Sequence, residues 1–164
     1  MLKVYPDKLN ELFYIIKSKR WKPLTSEKDL SNRAGVYLIG YSKENLENQK
    51  IDFLGESEKN IIWYIGSSLN LRRRIKNFLS AIKKGEDHSG GNTYYREYKS
   101  KWKGEKFYIV YLSVDEFENK DEYLANIMRV PAVFEYYLIG LYYMINNKLP
   151  TLSREKKEEK KIDL

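Results

Sequence analysis

Apolar residues recur at helical spacing near the start of the chain, at Leu9, Leu12, Phe13 and Ile16, so residues 7–18 predict an amphipathic helix capped by Asp7. Residues 21–32, with Pro23, break that period and read as an irregular approach. Val36 to Tyr41, preceded by Gly35, is a short β-rich run and predicts a strand. A polar stretch over 42–60 reads as a long hairpin insert. It ends at the continuous apolar run Ile61-Ile62-Trp63-Tyr64-Ile65, a second strand closed by Gly66. Leu71, Ile75, Phe78, Leu79 and Ile82 then return to helical period, with Ser67 or Ser68 as cap and Gly85 as terminator. Residues 85–100 carry Gly90-Gly91 and Tyr94-Tyr95 and read as loop. Phe107 to Leu112 predicts a third strand, Asp121 to Met128 a short helix, and Pro131 opens a last helix running to about Asn146.

These elements predict an α+β fold: one small, mostly antiparallel, three-stranded sheet flanked by helices in a single domain. The expected boundaries are a helix and approach segment over 1–34 packed on the core, the main domain over 35–153, and a solvated charged tail over 154–164. The formal net charge of +7 favours an anionic partner, nucleic acid above all. Absence of cysteine excludes thiol nucleophiles, disulfide frameworks and cysteine-based zinc sites, and a single histidine excludes a site needing two. No apolar leader or membrane-length run is visible, so a cytoplasmic protein without membrane partners is expected.

Three features carry candidate chemistry. The helix after Gly66 holds Arg72, Arg73, Arg74, Lys76, Lys83 and Lys84 and no acid, and a one-signed helix suggests an anionic ligand. With about 100° per residue, Arg72 and Arg74 fall on the two flanks of its apolar face, and periodicity does not choose between them. Glu135 is the only charge between Pro131 and Ile145. A helix so apolar predicts burial on most sides, so the carboxylate needs a cation, a metal or a nest of donors. A divalent ion such as Mg²⁺ suits it, with Asn146 on the same stripe to assist. Tyr37 and Tyr64 each stand at the C-terminal part of a strand beside a glycine. His88 lies in the polar run Gly85 to Gly91 and is expected on a flexible loop.

Gly35-Val36-Tyr37, Tyr64-Ile65-Gly66, the arginine ten residues after Tyr64, Glu135 in its E-x-x-L-I setting and Asn147-Lys148-Leu149-Pro150-Thr151-Leu152 together resemble the GIY-YIG nucleases. The resemblance spans about 35–153. It implies metal-dependent endonucleolytic hydrolysis of DNA: Glu135 holding Mg²⁺ or Mn²⁺, Tyr37 or Tyr64 activating water, Arg74 stabilising charge on phosphorus, and His88 moving a proton or contacting phosphate. Arg72, Lys76, Lys83, Lys84, Tyr94 and Tyr95 would bind nucleic acid, and Asn146, Asn147 or Ser153 would support the site. Phe78 stands where relatives often carry Tyr or His, and Ser153 where they carry Asn. Those departures favour the alternative, a catalytically inactive nucleic-acid-binding module of the same fold.

Overall fold

The computed structural model describes residues 5–53, 61–100 and 106–153. Helix α1 (Pro6–Ser18) leads into a two-residue strand β1 (Lys22–Pro23). There follow β2 (Gly35–Ser42), β3 (Ile62–Ser68), α2 (Leu71–Lys84), α3 (Ser89–Glu97), β4 (Lys106–Ser113), α4 (Glu122–Arg129) and α5 (Ala132–Asn146). The fold is α+β as expected, but the sheet has four strands in the order β1-β4-β2-β3, every pair antiparallel. The extra strand lies in the segment expected to be irregular. Pro23 has no N–H to offer a ladder and is tolerated because β1 is an edge strand, pairing Lys22 with Ile109 and Pro23 with Tyr108.

Central β2 is covered on both faces, as its run of buried residues requires. Val36 and Leu38 join a core built with Leu12 and Ile16 of α1, Leu124 and Met128 of α4, and Phe134 and Leu138 of α5. Tyr37, Ile39 and Tyr41 point the other way, into a core with Leu71, Ile75 and Phe78 of α2 and Tyr94 of α3. Strict alternation along β3 would send Trp63 and Tyr64 to opposite faces. Instead the pairing with β2 slips by one residue: Ile39 faces Tyr64 while Gly40 faces Ile62, leaving Trp63 as the extra residue of a bulge. Both aromatic rings therefore enter the α2/α3 core.

Several local expectations are corrected. Pro6, not Asp7, opens α1, with Tyr5 at the N-cap; Asp7 sits in the first turn. Asn70, not Ser67 or Ser68, caps α2 by accepting the Arg73 N–H at 2.9 Å. Residues 85–100 are largely helical rather than loop. The insert over 42–60 is not simply polar: Leu46, Ile51 and Phe53 are buried in the α1/α5 core, and Trp21 exchanges backbone hydrogen bonds with Asn48 and Gln49. Its remainder, 54–60, lies outside the described residues, as does the tail from 154. Helix α5 is less enclosed than its composition implies, with Tyr136, Tyr143 and Met144 exposed. No helix is long and apolar enough to cross a membrane among the described residues.

Helix α3 lies against α2 because Gly91 has no side chain. A Cβ there would stand 2.6 Å from the Cβ of Ala81 and 3.1 Å from the Phe78 carbonyl oxygen, both on α2. Gly91→Ala is accordingly expected to push the two helices apart and cost about 1–3 kcal/mol, as overpacking does. The check is a lowered urea midpoint with an unchanged m-value.

Candidate active site

Tyr37, Tyr64, Arg74, His88 and Glu135 gather around β3, the first four on the α2/α3 side of the sheet and Glu135 on the α5 side. Tyr37 on β2 stands beside Gly66 in the pairing, and the Tyr37 and Tyr64 rings lie 6.0 Å apart. Gly66 is what lets them close. A Cβ at that position would fall 2.6 Å from the Tyr37 hydroxyl oxygen and 2.7 Å from the Tyr64 ring. Tyr37 is wholly buried, whereas Tyr64 keeps 8% exposure and brings its hydroxyl within 3.3 Å of the Ser89 hydroxyl on α3.

Of the two flank arginines, Arg74 belongs to this site and Arg72 does not. The Arg74 guanidinium faces both phenols: burial works against its charge, but Tyr37 and Tyr64 outweigh that and hold its pKa above the ordinary value. Its Nε is buried without a hydrogen-bond partner among the described residues. Arg72 extends from the opposite flank, donating through Nε to the Leu30 carbonyl at 2.9 Å. There it lines a cavity of about 620 Å³ with Lys22, Leu30 and Tyr111. Burial drives the Tyr37 hydroxyl well above the phenol range, Tyr64 adds to the effect, and Arg74 offsets only part of it.

His88 is the largest departure from expectation. Far from lying on an exposed loop, it caps α3, is 2% exposed, and sets Nε2 at 3.0 Å from the Tyr37 hydroxyl. Its Nδ1 accepts the Gly91 N–H at 3.2 Å. Burial first and the Arg74 charge second lower its pKa to about 3. So enclosed and uncharged, it is placed neither to contact a phosphate nor to carry protons to solvent. Phe78, also fully buried, meets the imidazole edge-on with ring centroids 5.2 Å apart. Position 78, where the resemblance calls for a polar group, is thus core.

Glu135 approaches from α5, on the other face of the sheet. Its carboxylate is half-buried and accepts a hydrogen bond from the Ser67 hydroxyl on β3. Burial raises its pKa, while Ser67 and the Arg74 charge pull the other way. No ion pair to Glu135 occurs among the described residues. Nor do three metal-ligating side chains cluster anywhere among them. One desolvated carboxylate nonetheless fits a hard divalent ion, which takes one or two carboxylates and completes its shell with water.

The supporting residues are not gathered here. Asn146 donates to the Tyr142 and Phe53 carbonyls at the far end of α5. Asn147 is the C-cap in left-handed conformation. The Ser153 hydroxyl is buried without a partner among the described residues, beyond Leu152, whose N–H bonds the Trp63 carbonyl. No described hydrogen bond joins any of the three to Glu135. Lys76, Lys83 and Lys84 are exposed along α2, as a backbone-binding surface requires. Tyr95 is exposed under the Lys99 ammonium, but Tyr94 is buried and bonded to the Tyr41 hydroxyl at 3.0 Å, so it is a core residue rather than a ligand contact. Ser67 and Ser89 join the site without having been singled out. Their position beside Gly66 and His88 was the available signal.

The buried imidazole predicts a pH dependence. A histidine whose folded pKa lies below its unfolded value binds fewer protons in the native state, so its stabilising contribution is complete above about pH 6.5 and is lost toward about pH 3. The slope approaches about 1.4 kcal/mol per pH unit inside that window. Comparing urea midpoints of wild type and His88→Gln from pH 7 to pH 4 cancels the carboxylates common to both. The wild type is expected to lose the larger share of its stability. No protein-family model, curated protein or solved structure matches the chain.

Proposed function

We propose that the protein is a metal-dependent endonuclease that hydrolyses DNA phosphodiester bonds at the edge of β3. The observation that carries this reading is the convergence of one desolvated cation, Arg74, on two phenols and within electrostatic reach of the half-buried Glu135. A preorganised guanidinium in a low-dielectric setting stabilises negative charge developing on phosphorus without having to reorganise. Burial separates the two phenols. Tyr64, the less buried of the two, would be the one to meet a water, with Tyr37 supporting it from within. Glu135 would hold Mg²⁺ or Mn²⁺, with water completing the shell; the ion would supply Lewis-acid stabilisation of phosphate oxygens. The exposed lysines of α2 would carry the nucleic-acid backbone.

A second reading, binding without cutting, draws on one specific observation. Phe78 and His88 are both enclosed, so neither reaches a phosphate. The two readings separate on supercoiled plasmid. With Mg²⁺, wild type is expected to nick or linearise it, EDTA to stop cleavage, and Glu135→Ala to abolish it while leaving salt-sensitive binding. Arg74→Ala should lower the cleavage rate by about 10²–10³-fold, as losing one oxyanion-stabilising donor does. Lys76→Ala and Lys83→Ala should each reduce the slope of log affinity against log salt by roughly 0.7–0.9 without stopping cleavage. Binding by wild type with no cleavage in any metal would establish the second reading.

A further inference from the structure

The proton count around His88 fixes a hydrogen-bond direction inside the site. Its Nδ1 receives the Gly91 N–H at 3.2 Å, and a nitrogen that accepts carries no proton of its own. A doubly protonated ring is excluded by the same contact. The single ring proton of the neutral imidazole is therefore on Nε2, and Nε2 stands 3.0 Å from the Tyr37 hydroxyl oxygen. Across this contact His88 donates and Tyr37 accepts. We infer that His88 is a positioning residue, locked by Gly91 as the Nε2–H tautomer, whose donated hydrogen bond turns the Tyr37 proton away from the imidazole.

The consequence falls on the rest of the cluster. Arg74 has only donors to offer. With His88 also donating, the Tyr37 proton has neither neighbour as an acceptor. That proton is left to point toward the Tyr64 side of the cluster, where the Tyr64 ring lies 6.0 Å away. Tyr37 thus turns its proton, and Arg74 its charge, toward the less buried of the two phenols. The α3 cap is built to keep this arrangement: the Phe78 ring braces the imidazole edge-on, and Gly90 admits the Tyr64 ring where a Cβ would stand 2.7 Å from it. Tyr37 on β2, Tyr64 on β3, Arg74 and Phe78 on α2, and Gly91 on α3 are the neighbours that fix the ring. None of them is an acid.

The inference rests on the endonuclease reading for its catalytic meaning but not for its hydrogen bond, and the two are tested apart. As the protein has one histidine, long-range ¹H–¹⁵N correlation spectra of uniformly labelled full-length protein report a single ring without assignment. The expected spectrum shows a protonated Nε2 and a bare Nδ1, unchanged from pH 8 to about pH 4.5. A protonated Nδ1, or a ring titrating near its ordinary pKa of about 6.5, would overturn the inference. In cleavage assays, His88→Met should lower kcat by about a hundredfold with KM nearly unchanged, since a displaced catalytic group costs that much. His88→Gln, which retains a donor toward Tyr37, should recover most of the loss. Equal rates for His88→Gln and His88→Met, in variants shown by circular dichroism to be folded, would also overturn it. A wild type that cuts nothing would remove the endonuclease reading and leave the spectra to decide the hydrogen bond.

Discussion

A positive charge that cannot be left in water organises this molecule. Arg74 is taken partly out of solvent with its Nε unpartnered, and the environment that compensates is made of two phenol oxygens rather than a carboxylate salt bridge. Phenols are a weak answer to a desolvated guanidinium, since neither carries a charge at neutral pH. Further stabilisation reaches the guanidinium at distance from Glu135. A fully satisfied arginine would be structurally better and chemically idle. The proposed stabilisation of a phosphate would draw on this incomplete satisfaction of Arg74.

Everything around that cation is arranged by strand geometry. Regular pairing, with Tyr37 opposite Gly66 and Ile39 opposite Tyr64, keeps Tyr64 on the same face as Tyr37, the bulge beyond it brings Trp63 to that face as well, and the missing side chain at Gly66 lets the two tyrosine rings meet. The edge position of β3 then allows residues from both faces of the sheet to share one site. Tyr37, Tyr64 and Arg74 come from the α2/α3 side, and Glu135 reaches from α5 through the Ser67 hydroxyl. A central strand would have separated the carboxylate from the guanidinium by the thickness of the sheet.

Period and composition made the long elements legible. The strand around Tyr37, helix α2 with its terminator Gly85, and helix α5 lie within a residue or two of their expected limits, whereas the strand around Tyr64 runs on through Gly66 to Ser68, because Gly66 and Ser67 stay paired with β2. The misses have physical reasons. Two adjacent glycines argued against a helix at α3, because glycine lowers helix propensity; their value is the close approach to Tyr64 and α2, which no local pattern reveals. His88 is flanked by Asp87 and Ser89 and looked solvated, yet the cap geometry of α3 carries it inward. The two flanks of α2 are equivalent on a helical wheel, so the choice between Arg72 and Arg74 depended on which flank β3 lies against. Leu46, Ile51 and Phe53 were diluted by polar neighbours within the insert, although each fills the core.

The site is also ordered along the chain. Tyr37, Tyr64, Arg74 and His88 all belong to the segment from β2 to α3, whose strand and helix contacts are mostly between neighbours in sequence. Glu135 belongs to α5, which contacts β3 from beyond β4 in the chain, and the pairing of β4 with β2 closes a long loop. Contacts of that range form slowly compared with local ones. A ribosome releasing this chain from its N-terminus would thus present the cationic and phenolic half well before the carboxylate is made. Synthesis itself delays the complete constellation until α5 has been made.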